Sequence, residues 1–190
     1  NHNFDGIEWA WLAFGSEGRD EQTFSTDQDN GIVFACADEA AVDGLRQRFL
    51  AFALEVNKDL DRCGFPLCKG NIMASNPQWC LSLDEWKEQF SQWIRVPQPE
   101  ALLNATIFFD FRTLFGKAEL AEAMRRHLLM QTSSNPMFLR CMAQNALDVE
   151  PCSRPILMRV SSSGALTLAS WRTPSFSRFQ FTQFVANTTT

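Results

Sequence analysis

Two short runs, WAWLAF at residues 9–14 and GIVFAC at 31–36, contain no charged residue and are bounded by turn formers. Runs of this length and kind read as buried strands. What lies between them is the most constraining feature of the chain. The first run stops at Gly15-Ser16, a polar loop extends to about Thr26, and Asp27 and Asp29 then alternate at the mouth of the second run. The fold must therefore bring two carboxylates to the end of an apolar sheet.

The rest of the chain alternates helical and extended patterns. Apolar residues at 45, 49, 52, 56, 60 and 63 describe one face of a long helix from about Glu39 to Cys63, with Gly64 as its stop signal and Pro66 just beyond. Residues 65–74 read as a strand or an irregular pair of short ones. A second helix is expected near Leu83 to Ile94, with Trp86, Phe90, Trp93 and Ile94 as its core stripe. The aromatic, β-branched segment 105–112 reads as a further strand. A helix with Leu120, Met124, Leu128 and Met130 on its buried side follows, then another from about Pro136 to Leu147.

At 190 residues and 45% hydrophobic, the chain can build one large domain, or a domain with an appendage. Its formal net charge of -5 argues against a general nucleic-acid-binding surface. No apolar run approaches the roughly 20 residues of a membrane span. The chain begins with Asn rather than Met and shows no signal-peptide pattern, which reads as a fragment or processed product. Six cysteines include no CxxC pair, and Cys63-x4-Cys68 is a weak zinc spacing. They are expected to be reduced, buried and small-apolar in role, which favours a cytoplasmic location. From Pro151 onward the composition changes: four arginines, no lysine and no acid give +4, against -9 for residues 1–150. That tail reads either as strands or as poorly ordered chain.

On a strand, residues two apart project from the same face, with Cα atoms about 6.6 Å apart. Two ionised carboxylates so placed repel unless a cation lies between them, and a hard divalent ion such as Mg²⁺ suits them. The Gly15-Ser16 turn offers N–H and hydroxyl donors and close backbone approach. Arg19 in the same loop is a candidate phosphate ligand. A bare Asp-x-Asp is common on solvated loops. The order strand, Gly-Ser, gap, Asp-x-Asp, strand is what raises the metal-nucleotide reading above that alternative.

With these residues the chain resembles the nucleotidyltransferase superfamily that includes DNA polymerase beta. More closely, GSEGRDEQTFSTDQDNGIVF is similar to the signal-transduction nucleotidyltransferases found beside cyclic-nucleotide-binding and CBS domains, relatives of the uridylyltransferase of the nitrogen-regulatory PII protein. GNIMASNPQWC, Glu85-Trp86 and IFFDFRTLFG extend the likeness over roughly residues 5–150. The tail after 151 departs from the acidic, lysine-containing helical segment of those relatives. The resemblance implies an α+β fold in which a mixed β-sheet is flanked by helices. It divides the chain into a nucleotidyltransferase-like core (1–116), a helical extension (117–150) and an atypical tail (151–190). It matches Gly15 and Ser16 to the phosphate-side turn, and Asp27 and Asp29 to the metal ligands. Arg19 and Glu21 match the loop, where they either contact ligand or pair with each other. Asp110 is the candidate third carboxylate, the alternative being a buried ion pair with Arg112. Lys69 and Asn71 are candidates for the pocket lining.

The expected activity is Mg²⁺-dependent (Mn²⁺ as a substitute) transfer of a nucleoside monophosphate from a nucleoside triphosphate to a hydroxyl of a protein or small molecule, in signalling. Regulatory cyclic-nucleotide-binding or CBS domains are expected in the full-length chain. The competing readings are an inactive nucleotide-sensing domain and an inert interaction domain. His127 is expected on the surface, and Trp79 in the core rather than stacked on a base.

Overall fold

The computed structural model describes residues 2–19, 27–148, 159–160 and 166–167. The expected mixed sheet is present: four strands in the order β3-β2-β1-β4, formed by β1 (Trp9–Phe14), β2 (Asn30–Phe34), β3 (Cys80–Ser82) and β4 (Phe111–Gly116). β1 runs antiparallel to both β2 and β4, and β3 is parallel to β2. The helices are α1 (Gly15–Gly18), α2 (Val42–Arg62), α3 (Leu83–Arg95), α4 (Pro99–Phe108), α5 (Ala118–Ser133) and α6 (Pro136–Asp148). Two-residue strands β5 (Arg159–Val160) and β6 (Leu166–Thr167) pair with each other, and the remainder of the arginine-bearing tail lies outside the described residues.

Strand alternation divides the core between the two faces of the sheet. Trp11, Ile32 and Phe34 meet Phe49 and Ala53 of α2 on one face. Ala10, Leu12, Phe14 and Val33 meet α3, α4, α5 and Phe138 of α6 on the other. Both central strands are thus covered twice, which is why their sequences are apolar at nearly every position. Gly31 leaves no room for a side chain toward the second face. A Cβ there would sit 2.7 Å from the Phe14 ring and 2.8 Å from the Trp79 carbonyl oxygen.

α2 stops where expected, with Cys63 as its C-cap and Gly64 at φ +97°. α3 starts from a full capping box, Ser82 and Glu85 bonding each other's backbone N–H groups. Its stripe of Trp86, Phe90, Trp93 and Ile94 is buried as expected. Trp86 also donates from Nε1 to the Ile32 carbonyl at 3.0 Å, tying α3 to β2.

Four expectations need correction. Residues 65–74 form turns rather than strands. The segment 105–112 is not a strand: α4 runs to Phe108 and β4 begins only at Phe111. Met130 is exposed. Among the described cysteines only Cys80 is buried; Cys63 is exposed and Cys36, Cys68 and Cys141 are half-buried.

Candidate active site

The site begins where β1 runs out. Gly15 adopts φ +56°, a backbone conformation that favours glycine, and a Cβ there would lie 3.9 Å from Asp29 Oδ2. Gly18 is required for space, since a Cβ would fall 2.5 Å from the Asp110 carbonyl oxygen. Asp110, in the link between α4 and β4, grips both ends of this turn. Its carbonyl accepts the Gly15 N–H at 3.0 Å, and its carboxylate accepts from Arg19 Nη1 at 2.9 Å. The Arg19 and Asp110 side chains are only 6% and 11% exposed. Arg112 completes the clamp by donating from Nε to the Glu17 carbonyl at 2.9 Å. The buried ion pair foreseen for Asp110 therefore forms with Arg19 rather than with Arg112. Glu21, the other expected partner of Arg19, lies outside the described residues.

Asp27 and Asp29 stand in the extended segment that enters β2. The ladder reaches Asp29, whose carbonyl accepts the Phe14 N–H at 2.9 Å. Asp27 is exposed, Asp29 half-buried. Burial raises the Asp29 carboxyl above its ordinary range, partly opposed by a hydrogen bond with the Cys68 side chain, and the Asp27 charge raises it further. The Cys68 thiol is pushed up to about 11, first by burial. It therefore stays protonated and can donate to the carboxylate. Cys68 belongs to the site, a placement the sequence reading missed. Its signal was its position in a Cys-Lys-Gly-Asn turn rather than any spacing to another cysteine.

Lys69 and Asn71 share that turn. Lys69 is exposed; Asn71 takes φ +56°, and its carbonyl accepts from Asn76 Nδ2 at 2.9 Å and Trp79 Nε1 at 3.1 Å. Trp79 stacks on Phe108 with ring centroids 4.1 Å apart, the packing role expected of it. His127 is half-buried rather than a surface residue, with Nε2 2.8 Å from Ser91 Oγ.

The donor chemistry fits a hard divalent ion. The Asp29 carboxyl lies beside the Gly15 turn, and burial and the Asp27 charge raise it, which a divalent cation would relieve. Among the described residues no group of three or more His, Cys, Asp or Glu side chains is arranged to hold a metal. A metal here would thus need oxygens from its own ligand and from water. A groove of about 450 Å³ elsewhere, between residues 77–79, α3 and α4, is lined by five amides, two tryptophans and Glu100 but by no Lys or Arg. It contains neither aspartate and is unsuited to a triphosphate.

A mixed sheet whose central strand ends in a glycine turn, facing alternating acids on the antiparallel neighbour, defines a domain of the nucleotidyltransferase kind. The chain belongs to the family described as Putative nucleotidyltransferase DUF294, whose model matches residues 2–100. That span takes in the turn, both aspartates and the Cys68 loop, and ends before Asp110. Among curated proteins and among solved structures, nothing matches the chain significantly. No helix among the described residues is long and apolar enough to cross a membrane.

Proposed function

We propose that this domain binds a nucleoside triphosphate as its Mg²⁺ complex, with Mn²⁺ as a substitute, and transfers the nucleoside monophosphate to a hydroxyl of a protein or small molecule. The observation that carries this reading is the Asp27–Asp29 pair beside the Gly15 turn, where burial and like charge leave Asp29 poorly satisfied as an anion. Asp27 and Asp29 would hold the metal, which when bound supplies charge neutralisation to the phosphate oxygens. Gly15 and Ser16 shape the phosphate-side turn. Lys69, exposed on the adjacent loop, and Arg19 at the end of the turn supply positive charge. Asp110 would be the third acid, taking the hydroxyl proton once Arg19 turns from it to the nucleotide. A cytoplasmic signalling role, with regulatory cyclic-nucleotide-binding or CBS domains elsewhere in the full-length chain, goes with this reading.

The buried Arg19–Asp110 pair also favours a second reading. If that pair never opens, the domain senses nucleotide without turning it over.

Thermal unfolding with ATP, GTP, CTP and UTP, each with and without Mg²⁺, tests both readings. Nucleotide at about 100-fold over its Kd stabilises by about 2.7 kcal/mol. The midpoint should rise only with metal, and Asp27→Asn should abolish the rise. Pyrophosphate release with the stabilising nucleotide and candidate hydroxyl acceptors then marks the enzyme; binding with no release marks the sensor. No shift with any nucleotide overturns both.

A further inference from the structure

The four residues entering β2 are Asp27-Gln28-Asp29-Asn30, two acids alternating with two amides. The acids are exposed and half-buried, while Gln28 and Asn30 are each only 3% exposed. Their amides point the other way, into a polar knot that the apolar face of α2 would not otherwise contain. At its centre is Asn57, 1% exposed and the one polar residue among the three buried positions of α2.

Asn57 Nδ2 donates to Gln28 Oε1 at 2.7 Å and to Asn30 Oδ1 at 3.0 Å. Its Oδ1 accepts the Ser75 N–H at 3.2 Å, and its backbone carbonyl accepts from Gln28 Nε2 at 2.9 Å. Gln28 Nε2 reaches the Phe65 carbonyl at 2.8 Å as well, and Asn30 Oδ1 accepts the Ala74 N–H at 2.8 Å. The backbone repeats the tie: Gln28 N–H donates to the Pro66 carbonyl at 2.9 Å and Asn30 N–H to that of Ile72 at 3.1 Å. Asn57 thus joins two segments. One carries Asp27 and Asp29, the other carries Cys68, which meets the Asp29 carboxyl.

A buried amide on an apolar helix face costs free energy unless all of its bonding capacity is used, so such a group is retained for the geometry it enforces. We propose that Asn57 is the positioning residue of the carboxylate pair: by holding Gln28 and Asn30 against α2, it fixes which way Asp27 and Asp29 project. This rests on the metal-nucleotide reading of those aspartates. Residues that orient the ligands of a metal typically matter by 10–100-fold in metal affinity.

The test titrates Mn²⁺ into the folded chain in the presence of each nucleoside triphosphate, following the EPR signal of free Mn²⁺. Asn57→Asp keeps the shape and the acceptor for Ser75 but turns both donated bonds into acceptor–acceptor contacts; Asn57→Leu removes all of them. Each should raise the half-saturating Mn²⁺ concentration about 10-fold, while metal-free nucleotide affinity stays as in wild type. Ser91→Ala, which breaks a hydrogen bond on the opposite face of the sheet, should lower the unfolding midpoint and leave Mn²⁺ half-saturation unchanged. Gln28→Met breaks the same knot from the strand side and reads the same quantity where an Asn57 variant fails to fold. Asn57 and Gln28 variants that unfold earlier but saturate with Mn²⁺ as wild type does would overturn the positioning role alone. A wild-type chain that takes up no Mn²⁺ with any nucleotide would overturn the metal-nucleotide reading and this inference with it.

Discussion

Asp29 ties stability to the proposed metal site at a single carboxyl. Its folded-state pKa is raised, chiefly by burial, so the folded protein holds the proton more tightly than the unfolded chain does. The resulting stabilisation is fully present below the unfolded-state value and is lost as pH rises through the raised one. Above that raised value, ionising Asp29 in the metal-free protein carries a net cost. Asp29→Asn should raise the thermal midpoint of the metal-free protein at pH 7 and leave it nearly unchanged at pH 3. The same substitution should abolish the Mg²⁺-nucleotide rise. A lower midpoint at pH 7 would show instead that the ionised carboxylate is already satisfied within the protein. Gly31 gives the opposite kind of residue-scale prediction, purely steric. With backbone 2.8 Å and an aromatic ring 2.7 Å from a Cβ, Gly31→Ala should destabilise by about 1–3 kcal/mol in denaturant unfolding. An unchanged midpoint would mean that Phe14 has room to shift. At this scale the sequence shows the two acids and hides the amides packed behind them. An Asp-x-Asp advertises itself, whereas Gln28, Asn30 and Asn57 look like ordinary surface amides until a fold brings them together.

Among the elements, periodicity succeeded where the water-facing side of a helix is polar and failed in α4, whose water-facing side includes Leu103 at 59% exposed. α2 and α3 show their core stripes because their other faces are solvated. α4 is apolar nearly all round, packed among α3, α1 and α6, so Leu102, Ile107 and the phenylalanines that follow carry no helical period and resemble a strand. Pro99 at the first helical turn was the overlooked signal. The misreading put Asp110 on a strand face, whereas it stands in the α4–β4 link and holds the α1 turn through Gly15 and Arg19. Removing one member takes a close opposite charge from the other in a buried place. Arg19→Met and Asp110→Leu should each cost about 3 kcal/mol, while the double variant should lose less than their sum by about 2 kcal/mol. Strict additivity in a chemical-denaturation cycle would show that the pair does not act as a clamp. If Asp110 is also the third acid, Asp110→Leu alone should keep its Mg²⁺-nucleotide stabilisation and lose turnover about 10²-fold. Turnover at the wild-type rate would reduce Asp110 to the clamp alone.

For the molecule as a whole, the arrangement follows from two strands that are apolar on both faces. Such strands require two covering layers, and the chain supplies α2 for one and α3–α6 for the other. The candidate site gathers three segments: the glycine turn that leaves β1, the acids that enter β2, and the Cys68 loop that follows α2. This layout was visible in outline from the spacing of the apolar runs. The assignment of helices to faces was not, because nothing local in a helix states which side of a sheet it will cover. It also makes a global prediction. β1 and β2 contribute side chains to both clusters, so neither cluster can dissolve while the other persists. Phe49, which stacks on Phe4 with centroids 4.3 Å apart, anchors the α2 face, and Phe90 anchors the other. Both are fully buried, and Phe49→Ala and Phe90→Ala should each cost about 3–5 kcal/mol. In each variant, helical circular dichroism and tryptophan fluorescence should then report one shared, earlier transition. A variant whose two signals separate, one face melting before the other, would show that the sheet does not couple its two layers and that the site sits between independently folding halves.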